Sequence, residues 1–265
     1  MMRTDFETLH VETIDDHILL VMYDRPEVRN AKNTQMGLDQ RDLFESLYVD
    51  TEGHRVVVLT GRGDKAFSAG GDLKERDGMT DADWQRQHAI FEQSALALRA
   101  CPIPVIGAIN GAAFGGGCET ALNVDFCYAS TTAKFALTEI TLGIIPGTMG
   151  TQNLPNAMGE RRAKEIIFTG RPFSAQEAYD WGLVNKVCEP DALLDETLET
   201  ARRIAANAPL AVQRAKRATT VATQVDRATG YQFELEAYNR LVGTEDRMEG
   251  VRAFNEKRKP DFKGK

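Results

Sequence analysis

Residues 114–119 read Phe-Gly-Gly-Gly-Cys-Glu and run into Thr120-Ala-Leu, which has the pattern of a helix opening. Glycine lacks a Cβ, so backbone N–H groups in such a run can approach a ligand closely. A helix N-terminus adds unpaired donors and the positive end of a dipole. Glu119 follows one residue after the run and sets a carboxylate beside that anion-favouring end. A second glycine pair lies in Phe67-Ser-Ala-Gly-Gly-Asp-Leu73, where Gly70 and Gly71 expose amides after an apolar run. Glu139 stands in Phe135-Ala-Leu-Thr-Glu-Ile, at the end of an apolar strand where a carboxylate is unexpected, and the loop Leu142-Gly-Ile-Ile-Pro-Gly147 comes next. Amides from two loops can form an oxyanion hole around a carbonyl whose charge grows in the transition state. Two carboxylates can hold a water and trade protons with adjacent carbons, titrating as a coupled pair. Each feature also has a plainer reading. The glycine run alone is a tight turn, Glu119 an acid favoured by the helix dipole, and Glu139 a solvated strand end.

Other chemistries find less support. Cys101, Cys118, Cys127 and Cys188 form no C-x-x-C pair and have no histidine at zinc spacing, so they read as reduced and buried, and no metal site is expected. His10, His17, His54 and His88 fall outside every motif. Neither G-x-G-x-x-G nor G-x-x-x-x-G-K-[ST] occurs, and Ser68 has no G-x-S-x-G elbow. Trp84 and Phe91 read as core residues, on a helix that could also line a pocket. The net charge of −7 disfavours nucleic acid as a partner, while leaving room for a small anionic ligand bound by local cations. The N-terminus has no apolar signal segment, and no apolar run reaches a membrane span, so a cytoplasmic location is expected.

Strand–loop–helix units position these residues. Ile18–Tyr23 and residues 54–60, with Val56-Val-Val-Leu59, are short apolar runs of buried-strand length. From Asn33, the candidate cap, Met36, Leu43, Phe44 and Leu47 recur at helical spacing. Thr80-Asp-Ala-Asp83 resembles a capping box opening a long helix through Leu98. Residues 102–109 predict a third strand that delivers the chain into the glycine run. Residues 126–130 and 135–137 predict two more, and residues 182–187 a last one. Helices are expected over 161–168, 175–181, 193–206, 210–221, 231–241 and 245–257. The pattern is α/β, with a core domain over residues 1–200 and a helical C-terminal region over 201–265.

The chain resembles the crotonase (enoyl-CoA hydratase/isomerase) superfamily over nearly its whole length. The resemblance rests on Asp24-Arg-Pro-Glu-Val-Arg-Asn-Ala31, Lys65-Ala-Phe-Ser-Ala-Gly-Gly-Asp-Leu-Lys-Glu75, Asn110-Gly-Ala-Ala-Phe-Gly-Gly-Gly-Cys-Glu119, residues 139–147 and Phe254-Asn-Glu-Lys-Arg-Lys259 in this order. It implies a spiral of repeated ββα units with a C-terminal helical trimerisation region, assembling as a homo-trimer or a dimer of trimers. It implies that the Gly71 and Gly116 amides polarise the thioester carbonyl of an acyl-CoA, with Glu119 as water-activating base and Glu139 as proton donor to the α-carbon. Substrate contacts carry over to Ala69, Asp72, Leu73, Lys74 and Gly147. They extend to Phe254 and Lys257, which would serve a neighbouring subunit's pocket. Because both glutamates are present, hydration of a 2-enoyl-CoA is the implied reaction, with no cofactor beyond the CoA carrier. The alternatives are isomerisation of a 3-enoyl-CoA, and an RNA-binding or structural hexamer with a relic pocket.

The departures from the family pattern carry their own expectations. Met149 and Asn153 stand where many hydratases have glycine and arginine, and a methionine filling acyl space predicts short or branched substrates. Tyr23-Asp24 replaces Leu-Asn, and Lys32 replaces a leucine. Leu73-Lys-Glu-Arg76 with Met79, and the ending from Asp246 to Pro260, resemble the methylglutaconyl-CoA hydratase branch.

Overall fold

The computed structural model describes residues 3–265. The chain opens with an antiparallel hairpin, β1 (Leu9–Ile14) and β2 (Ile18–Tyr23), followed by α1 (Thr34–Val49). Next come β3 (Val56–Gly61), β4 (Ala66–Ser68), α2 (Leu73–Arg76), α3 (Asp81–Ala100), β5 (Val105–Ile109), β6 (Ala112–Phe114), α4 (Gly116–Asn123), β7 (Phe126–Ser130) and β8 (Lys134–Ala136). The rest comprises α5 (Gly150–Met158), α6 (Glu160–Thr169), β9 (Phe173–Ser174), α7 (Ala175–Asp180), β10 (Lys186–Cys188), α8 (Leu193–Ala205), α9 (Pro209–Ala222), α10 (Arg227–Val242) and α11 (Glu245–Glu256).

The strands divide between a six-stranded sheet ordered β1-β2-β3-β5-β7-β10 and a four-stranded sheet ordered β4-β6-β8-β9. Apart from the β1–β2 hairpin and the β8–β9 pair, all pairings are parallel. Each turn of chain gives one strand to the large sheet, the next to the small sheet, and then a helical segment. β3–β4, β5–β6 and β7–β8 repeat this unit, so the expected ββα spiral is the architecture.

Both faces of the large sheet are covered, which is why its strands are apolar without alternation. Val57 and Leu59 join a core with Leu43, Phe44 and Leu47 of α1 and Leu98 of α3. Their neighbours Val56 and Val58 point the other way, to Ile18, Leu20 and Ile106 beneath Leu193, Leu198, Ala201 and Ala205 of α8. Residue 200, the expected domain boundary, therefore lies inside a helix that caps the sheet. Burial falls off only after Ala205. α9 has no buried residue, α10 only Ala237, and α11 only Asp246 and Ala253.

Local signals decide the element ends. Asn33 caps α1 by accepting the Met36 N–H, as expected. Thr80 accepts the Asp83 N–H, but the Asp83 carboxylate bonds the Thr80 hydroxyl rather than its backbone, so the reciprocal half of the capping box is not made. The strand expected from residue 102 begins at Val105, because Pro102 and Pro104 have no N–H to donate to a ladder. Residues 66–68 and 112–114, to which the sequence pattern assigns no strand, are the small-sheet strands β4 and β6. Among the described residues no helix is long and apolar enough to cross a membrane, and no cluster of three or more His, Cys, Asp or Glu side chains could hold a metal ion. All four cysteines are free and buried.

Candidate active site

The two glycine loops meet at the ends of β4 and β6, neighbouring parallel strands of the small sheet. A Cβ on Gly117 would lie 2.2 Å from the Ser68 carbonyl oxygen, and one on Gly70, at φ +89°, would lie 2.6 Å from the Phe114 carbonyl. Only glycine allows backbones so close. On the first loop, Lys32 N–H donates to Gly70 O (2.7 Å) and Asp72 N–H donates to Lys32 O (2.9 Å). In such a bridge the central residue's own N–H points to the opposite side, and Gly71 lines a cavity of about 770 Å³. On the second loop, Gly116 is the first residue of α4, so its N–H has no intrahelical acceptor. It lines the same cavity.

Glu119 projects from the first turn of α4 and is 3% exposed. Its Oε1 accepts the Thr148 and Gly150 N–H groups at 2.7 and 2.9 Å, and its Oε2 accepts the Thr148 hydroxyl at 2.6 Å. Three donors fix the carboxylate in place.

Glu139 begins a short 3-10 turn, Glu139–Leu142, three residues past the end of β8. It is 9% exposed, and its Oε2 is buried with no hydrogen-bond partner among the described residues. Burial pushes its carboxyl up to about 7; its own backbone N–H opposes this, the charge of Glu119 adds to it and Arg76 counters it. A carboxyl with that pKa is divided between its protonated and ionised forms near neutral pH. Both glutamates line the cavity, as the sequence expectation requires.

The remaining wall contains groups that were not assigned a site role from sequence. Lys32 lines the cavity, its Nζ bonded to Thr120 Oγ1 and 3.5 Å from Gln40 Oε1, and lying 4.9 Å over the Tyr23 ring. Burial lowers its pKa to about 8 against the pull of Glu119. Thr120 in turn donates to Gly116 O at 2.8 Å, so Lys32 touches the first loop through its backbone and the second through its side chain. Trp84 and Phe91, read as core, are half-buried cavity residues on α3, and His88, outside every motif, lies beside them against Gly147. The helical spacing Trp84, His88, Phe91, Ala95, Leu98 was the signal that one face of α3 is shared between core and cavity. Arg76 completes this wall.

Other expected site residues divide. Ala69, Leu73 and Gly147 line the cavity. Asp72 does not: its carboxylate pairs with Arg25 at 2.9 Å and caps α2 through the Lys74 and Glu75 N–H groups. Burial works against that charge, but the Arg25 bond and the two amides hold Asp72 below the usual carboxylate range. Lys74 is exposed outside the cavity. Phe254, 83% exposed, and Lys257, the exposed C-cap of α11, are not part of this cavity within one chain. Ser68 is buried, donating to Asn30 O at 2.8 Å. Met149 corrects an expectation: it is not among the cavity residues, so it does not occupy acyl space. It starts α5 in the left-handed region at φ 77°, a conformation glycine adopts more easily. Asn153 ties α5 to α4 and α3, donating to Asn123 Oδ1 at 2.8 Å and accepting from Arg99 at 3.4 Å.

Comparison with known proteins places the chain among relatives of one family and fold. A family model described as enoyl-CoA hydratase/isomerase matches residues 13–265. The crotonyl-CoA hydratase of Syntrophomonas wolfei is 38% identical, over 92% of this chain and 94% of its own. The short-chain-enoyl-CoA hydratase of Clostridium acetobutylicum is also 38% identical, over 91% of this chain and 92% of its own. The crystal structure of an enoyl-CoA hydratase from Bacillus anthracis superposes with a TM-score of 0.95 at 41% identity, covering 98% of this chain and 100% of that one.

Proposed function

Since the chain belongs to the enoyl-CoA hydratase/isomerase family, we propose that it is an enoyl-CoA hydratase, adding water reversibly across the α,β double bond of a short 2-enoyl-CoA to give a 3-hydroxyacyl-CoA. In this reading the thioester oxygen accepts the Gly71 and Gly116 N–H groups, which stabilise the negative charge that develops as the carbonyl becomes enolate-like. Glu119, held by Thr148 and Gly150, takes a proton from a water whose oxygen bonds to the β-carbon. Glu139 gives its proton to the α-carbon, and the carbonyl re-forms. Water is consumed, both carbons are saturated and no electron leaves the substrate, so the reaction needs no redox partner. After turnover Glu119 holds the proton and Glu139 the charge, and exchange with solvent resets the pair.

The observation that carries the reading is the contrast between the two cavity glutamates, one held by three donors and one bearing a buried, unpartnered oxygen. The names of the relatives support short acyl chains. Ala69 and Leu73 at the cavity wall are assigned to the CoA arm of the substrate. The exposed faces of α10 and α11, with Tyr231, Tyr238, Val242 and Phe254, are assigned to a homo-trimer or dimer of trimers, in which Phe254 and Lys257 would reach a neighbour's site. A cytoplasmic location fits four free thiols. The test is loss of the enoyl-thioester absorbance with crotonyl-CoA, with identification of 3-hydroxybutyryl-CoA as product. An unchanged band with CoA-binding protein, or conversion of 3-enoyl-CoA to 2-enoyl-CoA alone, would overturn it.

A further inference from the structure

Lys32 is a cavity residue bonded to both amide loops, and no step of the proposed proton transfers uses it. Its main chain holds the first loop on either side of Gly71, through the Gly70 carbonyl (2.7 Å) and the Asp72 N–H (2.9 Å). Its side chain runs along the second. Cδ lies 4.0 Å from where a Cβ on Gly116 would stand, and Nζ donates to Thr120 Oγ1, which donates to Gly116 O at 2.8 Å. Both polar partners of the ammonium, Thr120 Oγ1 and Gln40 Oε1 at 3.5 Å, are neutral oxygens, and Gln40 Oε1 also accepts the Tyr23 hydroxyl. Glu119 attracts the charge through space, but its two oxygens bond Thr148 and Gly150.

In the resting fold this charge is poorly placed. A cation beside the first turn of α4 meets the positive end of the helix dipole. Burial disfavours it too, lowering its pKa to about 8, which still leaves it mostly charged at pH 7. An apolar side chain of similar length would avoid both costs. The same placement becomes favourable once negative charge grows on an oxygen held by the Gly71 and Gly116 amides, because that charge forms in the same water-poor corner. The Thr120 hydroxyl, accepting from a cation, directs its own hydrogen at Gly116 O, and this chain of bonds pins the residue that supplies the second amide. We infer that Lys32 is a positioning residue of the oxyanion hole: its side chain fixes Gly116 through Thr120, and its charge stabilises the enolate-like state more than the bound thioester.

This rests on the hydratase reading of the cavity, and a measurement on the bound state separates the two. Lys32→Leu and Lys32→Met both remove the charge, the first with the residue of the family pattern and the second with a side chain of similar length. With crotonyl-CoA each is expected to lose about tenfold in kcat, with KM changed by less than about threefold. Thermal melting is expected to hold or rise in both. Butyryl-CoA, which has no double bond to hydrate, reads the hole without turnover through the infrared band of its isotope-labelled thioester carbonyl. That band should fall in frequency on binding to the wild type, and fall less on binding to either variant. A wild-type kcat in both variants overturns the inference. So does a lower kcat with the carbonyl band as in wild type, which would assign Lys32 to the charge of Glu119. A loss confined to KM or to melting temperature also overturns it, as a packing role would give. If the wild-type protein hydrates no enoyl-CoA while the band shifts and responds to Lys32, the hydratase reading fails and the role of Lys32 stands.

Discussion

The two walls of the cavity treat the same side chain in opposite ways. On the α4 wall, Glu119 is met by a hydroxyl and two amides from the 148–150 turn, so both of its oxygens have partners. On the β8 wall, Glu139 leaves a strand end into a 3-10 turn with one oxygen buried and unpartnered, and burial favours its proton. Residue type therefore says little about a side chain's surroundings; the donors within reach and the depth of burial decide them. In the proposed mechanism, two carboxylates in different surroundings supply a base and an acid from one amino acid.

Removing either member is the largest test of that contrast. Glu119→Gln and Glu139→Gln are each expected to lower kcat for hydration by about 10²–10⁴-fold with little loss of folding, read by turnover and thermal melting together. A difference in solvent-proton incorporation at the α-carbon, lost only in the Glu139 variant, would separate donor from base. If either variant keeps near-wild-type rates, the division of roles fails.

The proton on Glu139 makes the contrast pH-dependent. Hydration needs the protonated carboxyl, so kcat/KM should fall about tenfold per pH unit above about 7, and dehydration of the hydroxyacyl product should fall in parallel, because their ratio is an equilibrium constant that involves no proton. The sign for stability is the same as for hydration. The folded carboxyl titrates near 7 and the unfolded one near 4.5, so the native state holds the extra proton between those values. Stability should decline as pH rises from about 4.5 to 7 by up to about 3 kcal/mol in total. Denaturant titrations across that window should show the slope in wild type and lose it in Glu139→Gln.

A smaller effect probes the other wall. Thr148→Val removes the hydroxyl that donates to Glu119 Oε2 and keeps the two backbone donors, so hydration should fall by about tenfold, the scale of one hydrogen bond to a charged group. A loss as large as that of Glu119→Gln would mean that the turn, not the hydroxyl, positions the carboxylate. Smallest is Met149→Gly at the start of α5. Relieving a left-handed non-glycine residue should stabilise the fold by about 1 kcal/mol, with substrate size preference unchanged, because Met149 is not a cavity residue.

Legibility tracked the range of the forces involved. The apolar runs at Ile18–Tyr23 and Val56–Leu59 announced buried strands because both sheet faces are covered, and Asn33 announced a helix start because its side chain bonds three residues ahead. The three-residue strands β4 and β6 drew no strand assignment, since so short a ladder leaves no period to detect. Gly71, Gly116, Glu119 and Glu139 were found because glycine runs and an acid after an apolar strand are unusual locally. Lys32, Arg76 and His88 were not assigned to the cavity from sequence, because a charge or histidine on a helix or loop reads as solvated until its neighbours are known. The idea that Met149 restricts the acyl chain failed for the same reason: chain position does not give side-chain direction.

By itself, then, the sequence determined the alternation of strand and helix, the two glycine loops and the pair of glutamates, all of which depend on residue types and spacings within a few positions. Only the tertiary structure decided that the Ser68 and Phe114 carbonyls lie against Gly117 and Gly70, and that both loops open on one cavity. It also decided that Glu119 finds three donors where Glu139 leaves an oxygen unpartnered, and that Arg76 joins the same cavity wall. Desolvation and hydrogen-bond satisfaction are set by atoms distant in the chain, and they are what turn similar side chains into different chemical groups.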